Sequence, residues 1–162
     1  MRWISSYAKL VRRWQPSIMR RQKTILLVEA DDDVRLLMAV ALRRLGYSVI
    51  EAATVTDACG KFGSGDETVA LLLSEVVLPD GTGPDLYRLL VGVDPRLRLL
   101  LTSGHAESAL IRLVAHGPAT DFILKPFSLD ALVEKVRDAL RVPIDITPAP
   151  LRSRTQAAYS AR

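Results

Sequence analysis

From Thr24 onward, short continuous apolar runs alternate with segments whose apolar residues recur at helical spacing. Thr24-Ile25-Leu26-Leu27-Val28 is such a run and ends at Glu29, the pattern of a strand buried on both faces. Over 32–45 the apolar positions Val34, Leu37, Met38, Ala41, Leu42 and Leu45 fall on one side of a helix, which stops at Gly46. The alternation continues with strands over 47–52, 69–74, 97–102 and 119–124. Helices are predicted over 54–62, 83–91, 107–115 and 128–140, the last with Ser128 as its N-cap. Five strand and helix pairs in this order predict an α/β fold, a parallel sheet covered by helices on both faces.

Ligands of such sheets bind at the carboxyl ends of the strands. Those ends carry Glu29 with Ala30, Asp31 and Asp32, then Glu75, then Thr102 and Ser103, then Lys125 followed by Pro126. Each alone reads as a solvated loop residue. Acids, hydroxyls and a lysine at four different strand ends together predict one polar crevice.

Composition narrows the function classes. The chain has 162 residues, 49% hydrophobic and 25% charged, enough for one globular domain with short extensions. Cys59 is the single cysteine, so no internal disulfide and no cysteine metal cluster is available. No apolar run has membrane-spanning length and no secretory core opens the sequence, so a cytoplasmic protein is expected. The net charge of +4 is uneven: residues 1–23 carry +7, residues 141–162 carry +3, and 24–140 are left with −6. An acidic middle argues against specific nucleic-acid binding by the domain.

The ends read as separate segments. Residues 1–22 form a basic extension with Trp3, Ile4, Tyr7, Leu10, Val11, Trp14 and Ile18 near helical spacing. Such a helix fits contact with an anionic membrane surface or an acidic partner. The plainer readings, which are preferred, are docking on its own domain or translation from Met19. Residues 142–162 are proline-rich and then basic, the composition of a flexible tail, and no helix-turn-helix fits within them.

Four stretches, "ILLVEADDDVRLL", "LLLSEVVLPDGTGPDL", "LLLTSGHAE" and "DFILKPFSLDALVEKV", resemble the receiver domain of two-component response regulators over residues 23–141. "GPDLYRLL", "TSGHAE" and "KPFSLDAL" are similar to receivers of hybrid histidine kinases. The resemblance implies a flavodoxin-like (βα)5 doubly wound sheet with strand order 2-1-3-4-5. It also implies a phosphorelay role in which an aspartate after the third strand takes a phosphoryl group from a phosphohistidine, assisted by Mg²⁺. Carried over by position, Lys125 is the phosphoryl-pairing lysine, with a cis bond to Pro126. Ser103 is the switch hydroxyl in preference to Thr102, Phe122 is the switch aromatic, and Val77 supplies a metal-binding backbone carbonyl. The metal positions become Glu29, Glu75 and Val77.

Two positions depart from that pattern. Glu75 stands at the phosphoacceptor position, and the acidic pair reads Glu29-Ala30. Glutamate extends its carboxylate by about 1.5 Å of bond length, and errors near 1 Å cost on the order of 100-fold in rate. Alanine removes an anionic ligand, and Mg²⁺ tolerates little distortion of its shell. The expected protein is therefore a single-domain, phosphorylation-impaired pseudo-receiver with a weak or absent Mg²⁺ site. It is expected to act by protein binding rather than as an enzyme. Whether Glu75 imitates a phosphorylated aspartate, reaching Lys125, or marks a merely degenerate site stays open, as does a substitute ligand from Asp31 or Asp32. The alternative is a working phosphoacceptor in a His-Asp relay with Mg²⁺. Implied partners are a histidine kinase, a phosphotransfer protein or another signalling protein, met through Leu110, Leu113, Phe122, Val133 and Arg137. An unrelated enzyme on this architecture is disfavoured, since there is no G-x-G-x-x-G or P-loop and neither His105 nor His116 sits in a triad pattern.

Overall fold

A computed structural model describes residues 22–104 and 120–141. The basic extension, the proline-rich tail and the helix expected over 107–115 lie outside these residues, as do His105, Leu110, Leu113 and His116. The described elements, in chain order, are β1 (Thr24–Val28), α1 (Asp32–Arg44), β2 (Ser48–Ala52), α2 (Val55–Lys61), β3 (Val69–Glu75), β4 (Val77–Leu78), β5 (Gly81–Thr82), α3 (Gly83–Val91), β6 (Arg98–Ser103), β7 (Thr120–Leu124) and α4 (Leu129–Arg141).

Five strands form one sheet in the order β2-β1-β3-β6-β7, every neighbouring pair parallel. Counting those strands alone, this is the expected order 2-1-3-4-5. The short antiparallel hairpin β4-β5 is additional. It was not legible as strand because Val77-Leu78-Pro79-Asp80-Gly81 reads as strand exit and turn.

Strand alternation divides the apolar residues into two layers. Ile25, Leu27, Leu71, Leu73, Leu100 and Ile123 pack with Met38, Leu42, Leu132 and Val136 of α1 and α4. Leu26, Val28, Leu72, Leu99 and Leu101 pack on the other face with Ala58, Leu86 and Leu90 of α2 and α3. All five residues of β1 are buried, which is why its sequence is a continuous apolar run rather than an alternating one.

The helices begin where capping chemistry is available. The Asp31 carboxylate accepts from the backbone N–H of Asp33 and Val34, Thr54 from Asp57, Thr82 from Asp85, and Ser128 Oγ from Ala131. Element boundaries differ from the sequence expectation by one residue at most termini. Two of these shifts extend the strands, so that Glu75 ends β3 and Ser103 ends β6.

Candidate functional site: a lysine between two glutamates

The ends of β1, β3, β6 and β7 meet on one edge of the sheet. Val28 pairs with Ser74 and Glu75 with Thr102, so Glu29 follows β1 beside the end of β3. The backbone N–H of Glu29 donates to the Ala52 carbonyl, and that of Lys125 donates to the Ser103 carbonyl at 2.7 Å. These bonds carry sheet-like order one residue past β1 and β7. The carboxylate and the ammonium groups therefore stand on ordered backbone.

Lys125 Nζ donates to Glu29 Oε2 at 2.7 Å and to Glu75 Oε1 at 2.9 Å. Glu29 is almost fully buried at 1% exposure, whereas the side chains of Glu75 and Lys125 are each 22% exposed. The other Glu29 oxygen, Oε1, accepts from the Asp31 N–H at 3.3 Å. Both oxygens of the buried carboxylate are thus occupied, as burial of a charge requires.

Burial pushes the Glu29 carboxyl above its ordinary range. The Lys125 hydrogen bond and charge oppose that rise, and the Glu75 charge adds to it. For Lys125, burial works against the charged form, but the hydrogen bonds and charges of Glu29 and Glu75 prevail and lift it above the usual lysine value. Lys125 is accordingly an ammonium at neutral pH.

The neighbouring acids are committed elsewhere. Asp31 caps α1 through its Oδ1, at 3.0 Å from both the Asp33 and the Val34 N–H. Asp32 is paired with Arg35, whose guanidinium also donates to the Glu29 carbonyl at 2.7 Å and the Ala30 carbonyl at 3.5 Å. Ala30 contributes no side-chain ligand. Among the described residues no group of three His, Cys, Asp or Glu side chains is arranged to hold a metal ion. Receivers in general bind Mg²⁺ in an acidic pocket. The donor set here does not fit that ion, with one acid replaced by alanine and both glutamates held by an ammonium.

Of the remaining predicted residues, two share a face of the main sheet and one lies in the hairpin. Ser103 ends β6, buried, opposite Leu124, and Leu101 is opposite Phe122. Alternation puts Ser103 and Phe122 on the same face, with Phe122 41% exposed. Val77 lies in the hairpin, two residues past Glu75, paired with Thr82.

Sequence reasoning assigned Glu29 to metal binding and missed it as a partner of Lys125. The signal was present in a buried strand-end acid in the same crevice as a lysine. Thr102, set aside there in favour of Ser103, is the register partner of Glu75, and its buried Oγ1 has no hydrogen-bond partner among the described residues. Asp80 was missed as well. Its carboxylate accepts from the backbone N–H of Val55 and Thr56 and from the Thr56 hydroxyl at 2.7–2.9 Å, tying the loop after β3 to the start of α2.

The comparisons with known proteins agree with this fold. Residues 25–137 match the family described as response regulator receiver domain. The sensor kinase CckA of Brucella abortus (strain 2308) is 37% identical over 117 residues, covering 72% of this chain but only 12% of that protein. The response regulator receiver protein CpdR of the same strain is 33% identical over 119 residues, covering 73% of this chain and 97% of CpdR. Among solved structures, a CheY-like receiver domain protein from Methanospirillum hungatei JF-1 superposes with a TM-score of 0.67 at 27% identity, covering 74% of this chain and 94% of that one.

The chain belongs to the response regulator receiver domain family of two-component signalling. Because it spans so small a part of CckA, the activity of that whole kinase does not transfer to it. Among the described residues no helix is long and apolar enough to cross a membrane.

Proposed function

We propose that this receiver accepts phosphoryl groups poorly or not at all and signals by binding other proteins, with Glu75 as a standing anion at the phosphoacceptor position. The observation that carries this reading is the Lys125 ammonium bonded at once to Glu75 and Glu29. In the family the corresponding lysine pairs with the incoming phosphoryl group. Here two of its three N–H donors are engaged by carboxylates. Attack by Glu75 on a phosphodonor would disturb the ion pair that its Oε1 makes with Lys125, with no second acid at Ala30 to help hold the Mg²⁺ that offsets the phosphoryl charge.

The imitation of a phosphorylated residue is partial. Glutamate brings at most about one negative charge, against up to about two for a phosphoryl group. Contact with a histidine kinase, a phosphotransfer protein or another signalling protein is the implied output. The exposed Phe122 on the edge strand β7, with Val133 and Arg137 on α4, is the proposed contact region. The match to CpdR, a response regulator receiver protein covered over 97% of its length, supports a receiver role for this chain.

Intact-protein mass after incubation with acetyl phosphate and Mg²⁺ tests the reading, alongside the Glu75→Asp, Ala30→Asp double variant. No adduct on the natural chain and an adduct on the double variant are expected. A stoichiometric adduct on the natural chain would instead place it among working phosphoacceptors.

A further inference from the structure

The Glu29, Lys125 and Glu75 cluster has a role beyond the loss of a phosphoacceptor. Two carboxylates facing one another at the end of a parallel sheet need a counter-charge, and Glu29 needs it most because it is buried. A divalent cation could supply that charge only with enough oxygen donors. Ala30 offers no side-chain oxygen, Asp31 caps α1 through its Oδ1 and Asp32 is paired with Arg35. The charge at hand is the Lys125 ammonium, 2.7 Å from one carboxylate and 2.9 Å from the other.

We infer that Lys125 is the resident cation of this site, taking the place that a divalent ion fills in a receiver with a complete acidic pair, so that the folded state of this chain is indifferent to Mg²⁺. The inference rests on the reading of Glu75 as a standing anion and adds how that anion is held. The lysine donates to both carboxylates at once, so the counter-charge is supplied from within the chain. The ammonium is tethered to the chain, so its local concentration does not depend on ion supply.

The test uses the full chain, with thermal melts and amide spectra recorded across millimolar Mg²⁺ and with Mn²⁺ as a paramagnetic probe. The natural chain is expected to show no saturable melting shift and no selective Mn²⁺ broadening at Glu29, Glu75 or Lys125. Ala30→Asp, which restores a carboxylate, is expected to gain that broadening. Lys125→Met is expected to melt lower and to recover part of the loss when Mg²⁺ is added, while Lys125→Arg stays insensitive to the ion.

A saturable Mg²⁺ shift in the natural chain overturns the inference. So does a folded Lys125→Met variant that neither loses melting temperature nor responds to either ion. If Lys125→Met does not fold, the natural chain and Ala30→Asp decide alone, and loss of the Ala30→Asp response counts against the inference. The two readings fail separately. Mg²⁺ binding by a natural chain that takes no phosphoryl group sinks only the resident-cation claim, whereas a phosphoryl adduct sinks the standing anion as well.

Discussion

At Glu75 one extra methylene adds about 1.5 Å of reach over aspartate, and the carboxylate ends 2.9 Å from Lys125. The backbone behind it leaves little room to adjust. A Cβ placed on Gly83 would lie 2.4 Å from the Glu75 carbonyl oxygen and 2.7 Å from Ser74 Oγ. Gly83→Ala therefore pits a helix-propensity gain of about 1 kcal/mol against a clash with backbone that cannot rotate away. Overpacking of this kind typically costs about 1–3 kcal/mol. The clash should win, lowering the denaturant midpoint and shifting the amide signal of Glu75. An unchanged midpoint would mean that the loop gives way easily.

Much at this scale could be read from the chain. Glu75, Ser103 and Lys125 stand out because each follows an apolar strand, and the reach of Glu75 to Lys125 follows from side-chain length. The pairing of Glu29 with Lys125 was harder to read, because a motif that assigns an acid to metal binding conceals its availability to a lysine 96 positions away.

Among the elements, α2 is the most dependent on its surroundings. At seven residues it is too short to persist alone, and its N-terminal N–H groups are satisfied by Thr54 from within and by Asp80 from the loop after β3. Hydrogen bonds to Thr56 and Val55 hold the Asp80 carboxyl below the usual carboxylate range. The Asp57 carboxyl is lowered by the Lys61 hydrogen bond and charge, and the Asp94 carboxyl by Arg96. A carboxyl whose folded pKa is depressed binds fewer protons folded than unfolded in that window. Its contribution is complete above the unfolded value, near 3.9 for aspartate, and is lost as pH falls through the folded value.

Asp80→Ala should therefore lower the melting temperature at neutral pH, speed amide exchange in α2, and flatten the acid limb of stability against pH. Equal acid limbs for the two proteins would remove Asp80 from the account. The strands and the remaining described helices were legible because their periodicity is local. The hairpin and the Asp80 cap were not, since the cap joins residues 24 and 25 positions apart through groups that also read as an ordinary turn.

For the whole molecule, sheet order could not be read from periodicity. Every one of the five main strands looks alike in an apolar count, and it was the family pattern that gave the sequence 2-1-3-4-5. The sheet then sets how distant parts of the chain meet. β1 and β7 are separated by β3 and β6, yet the Lys125 side chain reaches across to Glu29 and Glu75.

That clasp joins positions 50 and 96 residues apart, and it can close only after β1, β3, β6 and β7 have docked. Such a contact pays its loop-closure entropy late. It should contribute little to the folding transition state and most of its strength to the barrier against opening. In a stopped-flow series, Lys125→Met is expected to leave the refolding limb nearly unchanged and to raise the unfolding rate, a φ-value near zero. A refolding limb slowed in proportion to the lost stability would place the clasp in the nucleus instead. With a φ-value near zero, the cluster of Glu29, Glu75 and Lys125 governs how long a folded molecule lasts, a kinetic property on which selection can act independently of any group transfer.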